Sequence, residues 1–277
     1  MRGRQIASSV LLRTVLVVGA AFSALPFFWM ISSSLKTWEE AERVPPTILP
    51  ERVQWGNYPQ AVSRAAESRI SFGRCFANSI LVAAAVTAGV IVSSSLAGYA
   101  FAAMTFPGKD LIFFLFLATL MIPFEVILIP NFLFIRRLGW YDTHAALIVP
   151  WTASAFSVFF LRRIFERIPR ELYDAARVDG CGHFRFLIRV AVPMARPALV
   201  TVGISSFLGS WNAFLWPMIV TDAREMAVVQ TGLRSFIQEA STQYHLLMAA
   251  AALTILPVVV LYLLAQKWFE QGVEVMQ

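Results

Sequence analysis

The chain is 277 residues long, 58% hydrophobic and 14% charged, with a formal net charge of +6. So apolar a composition excludes a soluble globular protein. The basic excess lacks the single soluble face and aromatic platforms of a nucleic-acid binder, so no nucleic-acid partner is expected and the charge reads as topological.

In chain order, six windows are nearly free of charge: 14–35, 75–108, 111–135 (broken only by Glu125), 143–161, 197–221 and 240–266. Each reaches or approaches the ~20 residues that a helix needs to cross ~30 Å of hydrocarbon. Windows of that length exclude the ~10-residue alternating strands of an outer-membrane barrel. The prediction is an all-α integral membrane protein, one transmembrane domain over 1–277. Its spans fall at about 14–35, 76–103, 111–135, 143–161, 197–220 and 246–266. The first window lacks an A-x-A-like end and is expected to be a retained helix rather than a signal peptide. The loop at 36–74 holds Pro45, Pro46, Pro50 and Pro59 among many charges, and is expected to form a partly ordered outer cap. Phe106-Pro107-Gly108 reads as a tight inner turn, Leu138-Gly139-Trp140 as an outer turn with an interfacial aromatic. A second outer loop covers about 222–245.

Orientation follows the basic residues of short loops. Arg2, Arg4 and Arg13 precede the first span, Lys109 lies between the second and third, and Lys267 follows the sixth. Arg136 and Arg137, with six basic residues in the 36–74 loop, oppose them. That loop also carries Glu39, Glu40, Glu42, Glu51 and Glu67, and longer loops translocate with less regard to charge. The balance predicts N-in, C-in. Cys75 and Cys181 then fall on opposite sides of the bilayer and are not expected to pair.

The stretch from Arg162 to Pro197 carries eight of the chain's 23 basic side chains in 36 residues. Ile168, Leu172, Ala175 and Ala176 recur at i, i+4, i+7 and i+8. Phe184, Leu187, Ile188 and Ala191 recur at i, i+3, i+4 and i+7. Each set predicts one apolar helix face. Gly180 suits a left-handed helix end between them, and Pro169 a first helical turn. The bland reading is an interfacial hairpin held down by positive charge. It accounts for the arginines, but not for the small Ala175-Ala176 pair beside an acid and a glycine hinge.

The run Glu171-Leu-Tyr-Asp-Ala-Ala-Arg-Val-Asp-Gly180, followed by Ile188 and Val192-Pro193, resembles the EAA loop of bacterial ABC-importer permeases. Asp174 stands where that family commonly has Glu, and Val192 where it has Leu. The resemblance extends to Phe106-Pro-Gly-Lys109, Met121-Ile-Pro123, Ile129-Pro130, Phe207-Leu-Gly-Ser-Trp-Asn212, Phe214-Leu-Trp-Pro217, Gly232-Leu233 and Leu247-Met-Ala-Ala250. Those segments follow the carbohydrate, maltose-type branch from about residue 12 onward. The tail, Gly272 to Gln277, departs from that branch, so no family role is carried to it. The resemblance implies an amphipathic cytoplasmic coupling helix between spans four and five, in a loop at about 162–196. Coupling to an ATPase would fall to Glu171, Asp174, Ala175, Ala176, Asp179, Gly180 and Pro193.

Glu125 is the one acid inside a span and a default site candidate. Pro123 and Pro130 flank it, and a broken helix is tolerated where it lines a cavity. A regular span would place Glu125 near mid-bilayer, where pairing with a neighbouring helix competes with a role in the pathway. Asn131, Trp211 and Asn212 are further pathway candidates, an indole and amides suiting a neutral polyol. Packing is the competing reading for the tryptophans, and the favoured one for Trp216. Ser93, Ser94, Ser95, Ser205, Ser206, Gly209 and Ser210 read as small residues for close helix approach. Gly203-Ile-Ser205 matches a short intramembrane-protease pattern. His144 and His245 belong to the outer side, too far from Ser205 at 1.5 Å per residue to act as its base.

The resemblance therefore implies a non-catalytic permease subunit of an ATP-driven importer in a bacterial-type inner membrane, for a sugar or related polyol. ATP and Mg would be bound by two partner ATPase subunits and no cofactor by this chain. A homologous permease subunit, as a heterodimer, and an extracytoplasmic solute-binding protein complete the expected assembly. A phosphorylated polyol or a peptide is an alternative cargo. An ion-driven secondary transporter is the alternative class; it would need more intramembrane ionisable groups and, often, inverted repeats.

Overall fold

In the computed structural model, residues 2–67, 72–237 and 242–274 are described, and every regular element among them is helical. The final tail residues, 275–277, lie outside them. The chain divides into two compact units, residues 1–72 with 233–256 and residues 73–232 with 257–277.

In the first unit, α1 (Arg2–Ser34) is apolar from Leu11 onward, and its side chains there are almost all exposed. Helix α2 (Trp38–Glu42) follows, capped by Thr37, whose hydroxyl accepts from the Glu40 amide at 3.3 Å; α3 covers Asn57–Glu67. The expected cap is ordered by buried polar groups that find partners, as burial demands. Lys36, 1% exposed, donates to the Thr47 carbonyl and lies 4.7 Å from the Trp29 ring centroid. Glu40 accepts from the Glu51 amide at 2.6 Å, and Asn57 donates to the Ser34 and Lys36 carbonyls at 2.8 Å each.

The second unit is built on α4 (Phe72–Ala103), whose Val82, Val86, Val90 and Tyr99 face a continuous core. Helices α5 (Lys109–Ala118) and α6 (Phe124–Arg137) cover the predicted third span, α7 (His144–Ile148) and α8 (Ala155–Phe165) the fourth. The basic stretch forms α9 (Arg170–Val178), α10 (His183–Phe186), a π-helical turn over Leu187–Ala191, and α11 (Val192–Met194). Then come α12 (Arg196–Trp211), α13 (Leu215–Val220) and α14 (Val229–Leu233); α15 covers Tyr244–Glu274. At Gly98, α4 meets α8 so closely that an added Cβ would lie 3.1 Å from the Arg162 backbone nitrogen. Cys75 and Cys181 are both free thiols.

Among the described residues, three helices are continuous and apolar enough to cross a membrane: Leu11–Ser34, Phe72–Ala103 and Tyr244–Leu264. The predicted third and fourth spans are bent pairs, with angles of 103° between Lys109–Met121 and Phe124–Arg137 and 41° between His144–Trp151 and Ala155–Phe165; a further bend, of 83°, separates His183–Met194 of the basic stretch from Arg196–Trp211. The regular third span is therefore corrected. Pro123 has no amide hydrogen and forces Ile122 into an extended conformation (φ −87°, ψ 113°), so the helix restarts at Phe124. The helix of the fifth window is likewise interrupted: within the predicted 197–220 it stops at Trp211 and restarts at Leu215. Continuing it would bring the Pro217 ring against the Ala213 carbonyl, whereas restarting at Leu215 leaves Pro217 in a first turn.

Candidate functional site

The segment after α8 is an ordered elbow. Pro169 caps α9, and the far end closes as a Schellman motif. The Cys181 amide donates to the Ala176 carbonyl at 2.8 Å and the Gly180 amide to the Arg177 carbonyl at 3.0 Å, with Gly180 at φ +70°. Nothing lies within 4 Å of a Cβ built on Gly180, so its glycine requirement comes from the backbone angle alone.

Which face of the elbow packs differs from the apolar periodicity. Ile168 is buried as expected, but on α9 the inward residues are Tyr173 and Ala176, while Leu172 and Ala175 are exposed and Val178 is 88% exposed. Tyr173 wins the inward position because its ring stacks on Phe186 at 4.3 Å and on Tyr99 at 6.4 Å. A tyrosine pattern read as polar hides that payload. In the second set, Leu187 and Ala191 face in with Phe186, while Phe184 and Ile188 face out at 67% and 51% exposure. The π-helical turn offsets the two halves of that face. Burial pushes the Tyr173 phenol above its ordinary pKa, and its hydroxyl has no hydrogen-bond partner.

Glu171, Asp174, Ala175, Asp179, Gly180 and Pro193 all lie on the exposed side, and Ala176 is half-buried. The elbow thus presents Leu172, Ala175 and Val178 beside three carboxylates. Arg162 is tied back at its root, bonded to Glu166 at 2.7 Å and 3.9 Å from the Phe113 ring centroid.

The second unit also holds a cavity of about 560 Å³ between α4, α8, α12 and α13. Ser79, Ser154, Ser157, Ser205, Ser206 and Ser210 contribute hydroxyls; Phe124, Trp151 and Trp216 contribute aromatic faces; none of the described residues lining it is charged. The α12 serines, read from sequence as packing residues, line this space. Ser94 and Ser95 are buried with unpartnered hydroxyls inside the helix contacts. Trp216 donates its indole N–H to the Ala146 carbonyl at 2.9 Å.

The pathway candidates border this cavity in sequence without lining it. Glu125 is exposed in the first turn of α6, next to lining residue Phe124, and Asn131 is half-buried two turns on. Asn212 is exposed at the end of α12, beside lining residues Ala213 and Phe214. Trp211 is 2% exposed, its ring 5.5 Å from Phe76 and 5.8 Å from Phe207, where it braces α12. The sequence reading missed Ser79, Ser154, Ser157 and Trp151. Their only signal is small or hydroxylated residues in apolar windows, which packing explains equally well.

Apolar helices of membrane-spanning length, an ordered amphipathic elbow and an uncharged cavity define an all-helical membrane protein of transporter type. The family profile described as "Binding-protein-dependent transport system inner membrane component" matches residues 85–275. The chain is 32% identical over 269 residues to the sn-glycerol-3-phosphate transport system permease protein UgpE of Brucella abortus (strain 2308), covering 96% of this chain and 95% of that one. It is 34% identical over 267 residues to the protein of the same name from Agrobacterium fabrum, covering 95% of each. A chain of a bacterial ABC transporter involved in the import of the acidic polysaccharide alginate superposes with a TM-score of 0.82 at 23% identity, over 97% of this chain and 98% of that one. The chain belongs to the binding-protein-dependent transport system inner membrane component family and is a permease of that class.

Proposed function

We propose that this chain forms half of the translocation pathway of an ATP-driven importer for a neutral sugar or polyol. As one permease domain it would cross the membrane six times, N-in and C-in, the third and fourth spans each formed by a bent pair and the fifth by α12 and α13. The elbow at 169–193 is its cytoplasmic coupling helix. Of two separate ATPase subunits, which bind ATP and Mg, one docks here on Glu171, Asp174, Ala175, Ala176, Asp179, Gly180 and Pro193 and the other on the partner permease; this chain hydrolyses nothing. A homologous permease subunit supplies the other half, and an extracytoplasmic binding protein delivers solute to the outer loops at 36–74 and 222–245. A crystal structure of a bacterial alginate ABC transporter "in complex with alginate pentasaccharide-bound periplasmic protein", whose chain superposes with a TM-score of 0.67, supports that last partner by analogy of fold. Nucleotide binding shifts a two-state equilibrium because the docked elbow differs between the states.

The observation that carries this reading is the elbow itself, an ordered helix that turns Leu172, Ala175 and Val178 outward with nothing covering them. Substrate class follows from the uncharged cavity. Serine hydroxyls bond sugar hydroxyls, and the indoles of Trp151 and Trp216 suit the C–H faces of a pyranose. A phosphate ester would enter that space without a cation to meet it, at a large desolvation cost. The neutral reading is thus favoured over the glycerol phosphate of the relatives' names. Asn212, Glu125 and Asn131 are proposed to border the route, with Trp211 supporting them from behind.

The test is uptake by inverted-free membrane vesicles carrying the complete transporter, with ATP inside and the binding protein outside. Labelled maltose or another neutral oligosaccharide should accumulate with ATP hydrolysis, and excess sn-glycerol 3-phosphate should not compete. Uptake driven by an ion gradient without ATP would return the chain to the secondary-transporter class. Competition by glycerol phosphate would overturn the neutral substrate class alone.

A further inference from the structure

We propose that Tyr99 is the positioning residue through which movement of the elbow reaches the membrane helices; this rests on the coupling role given above. Tyr99 lies near the inner end of α4 and is 3% exposed. Its ring touches residues of three other segments: Phe165 at the end of α8, centroids 6.1 Å apart; Tyr173 of α9, 6.4 Å; and His183 and Phe186 of α10, 6.0 and 6.3 Å. One side chain therefore joins both halves of the elbow to α4 and α8.

Two features make this joint stiff and directional. Immediately before Tyr99, Gly98 brings α4 against α8 at backbone distance, so a load on Tyr99 is shared by both helices instead of being absorbed by side-chain rotation. The Tyr99 hydroxyl and His183 Nδ1 share a hydrogen bond of 3.1 Å, a polar link within a largely aromatic contact. The Tyr173 hydroxyl beside it has no partner. The outer residues of the elbow, Leu172, Ala175 and Val178, are exposed whereas Tyr99 is buried, so docking of a partner and transmission of its movement use different side chains. Coupling of this kind is reciprocal: a signal from the outer face must reach the ATPase through the same contact.

The experiment uses the complete transporter in proteoliposomes and measures ATP hydrolysis with and without the binding protein as purified, together with the amount of ATPase retained on the permease. Tyr99→Leu should keep the ATPase subunits and the basal rate but lose stimulation by the binding protein to within about twofold of basal. Tyr99→Phe, which keeps the ring and removes one hydrogen bond, should lower the stimulation about fivefold. Tyr173→Phe removes only an unpartnered hydroxyl and should match wild type. Equal, wild-type stimulation in both phenylalanine variants overturns the proposal. Loss of ATPase subunits from Tyr99→Phe also overturns it, because the residue would then serve docking. If Tyr99→Leu does not accumulate, the phenylalanine pair decides alone. Absence of ATPase subunits from the wild-type complex would instead fail the permease reading on which the proposal rests, and the proposal with it.

Discussion

At Gly180 the backbone takes φ +70°, and the space around it is open. The residue is therefore needed for its backbone freedom and not for close approach. An L side chain there costs about 1–2 kcal/mol, more for a β-branched one, while asparagine tolerates the left-handed region. Gly180→Val should accordingly lower ATP-dependent uptake about tenfold with ATPase subunits still bound, and Gly180→Asn should stay near wild type. Uptake and bound ATPase measured on the same vesicles check this; equal activity of the two variants would remove the hinge from the coupling scheme. The two tryptophans differ in the same local way. Trp211 is enclosed by Phe76 and Phe207, and Trp216 is anchored by its own N–H, so burial and a hydrogen-bond partner, not residue type, assign their roles.

Among the elements, prolines decide where apolar windows stop being single helices. Pro123 turns the third window through 103°, and Pro217 restarts the helix within the fifth. The windows themselves were legible because charge depletion is a property of composition. The bends were signalled by proline in the sequence, but their angles depend on what each half packs against. Helix α13 shows the dependence: it is held to α7 by the Trp216 N–H bonded to the Ala146 carbonyl at 2.9 Å. Trp216→Phe retains most of the ring and orphans a buried carbonyl, which should cost about 1–3 kcal/mol. Thermal unfolding of the purified complex in detergent should register that loss as a lower midpoint; an unchanged midpoint would mean the bond is not needed to hold α13. The elbow gave a similar lesson. Its two helices, its glycine end and its exposed acids were readable from spacing. Its inward face was not, because Tyr173 and Phe186 pair across the turn and pull Leu172 and Ile188 outward.

For the molecule as a whole, the proposed six-span, N-in arrangement makes a direct prediction. In a background of Cys75→Ala and Cys181→Ala, Arg137→Cys should react with an impermeant maleimide from outside intact cells. Arg177→Cys should react only after the membrane is opened. The reverse pattern would invert the topology and remove the elbow from the side where ATP is available. The uncharged cavity also belongs to this scale, since α4, α6, α8, α12 and α13 all contribute to it and none of their sequences announces it alone.

The sequence by itself determined the solvent of this protein, its helical class, and the place and punctuation of the elbow, because hydropathy, charge and the backbone demands of glycine and proline act locally. Only the tertiary structure decided which serines line a space and which are packed, which face of the elbow is free, and that Tyr99 joins it to α4 and α8. Those outcomes depend on contacts between residues far apart in the chain, 84 positions for Tyr99 and His183. No pattern within a single helix encodes the partner on the other side of such a contact.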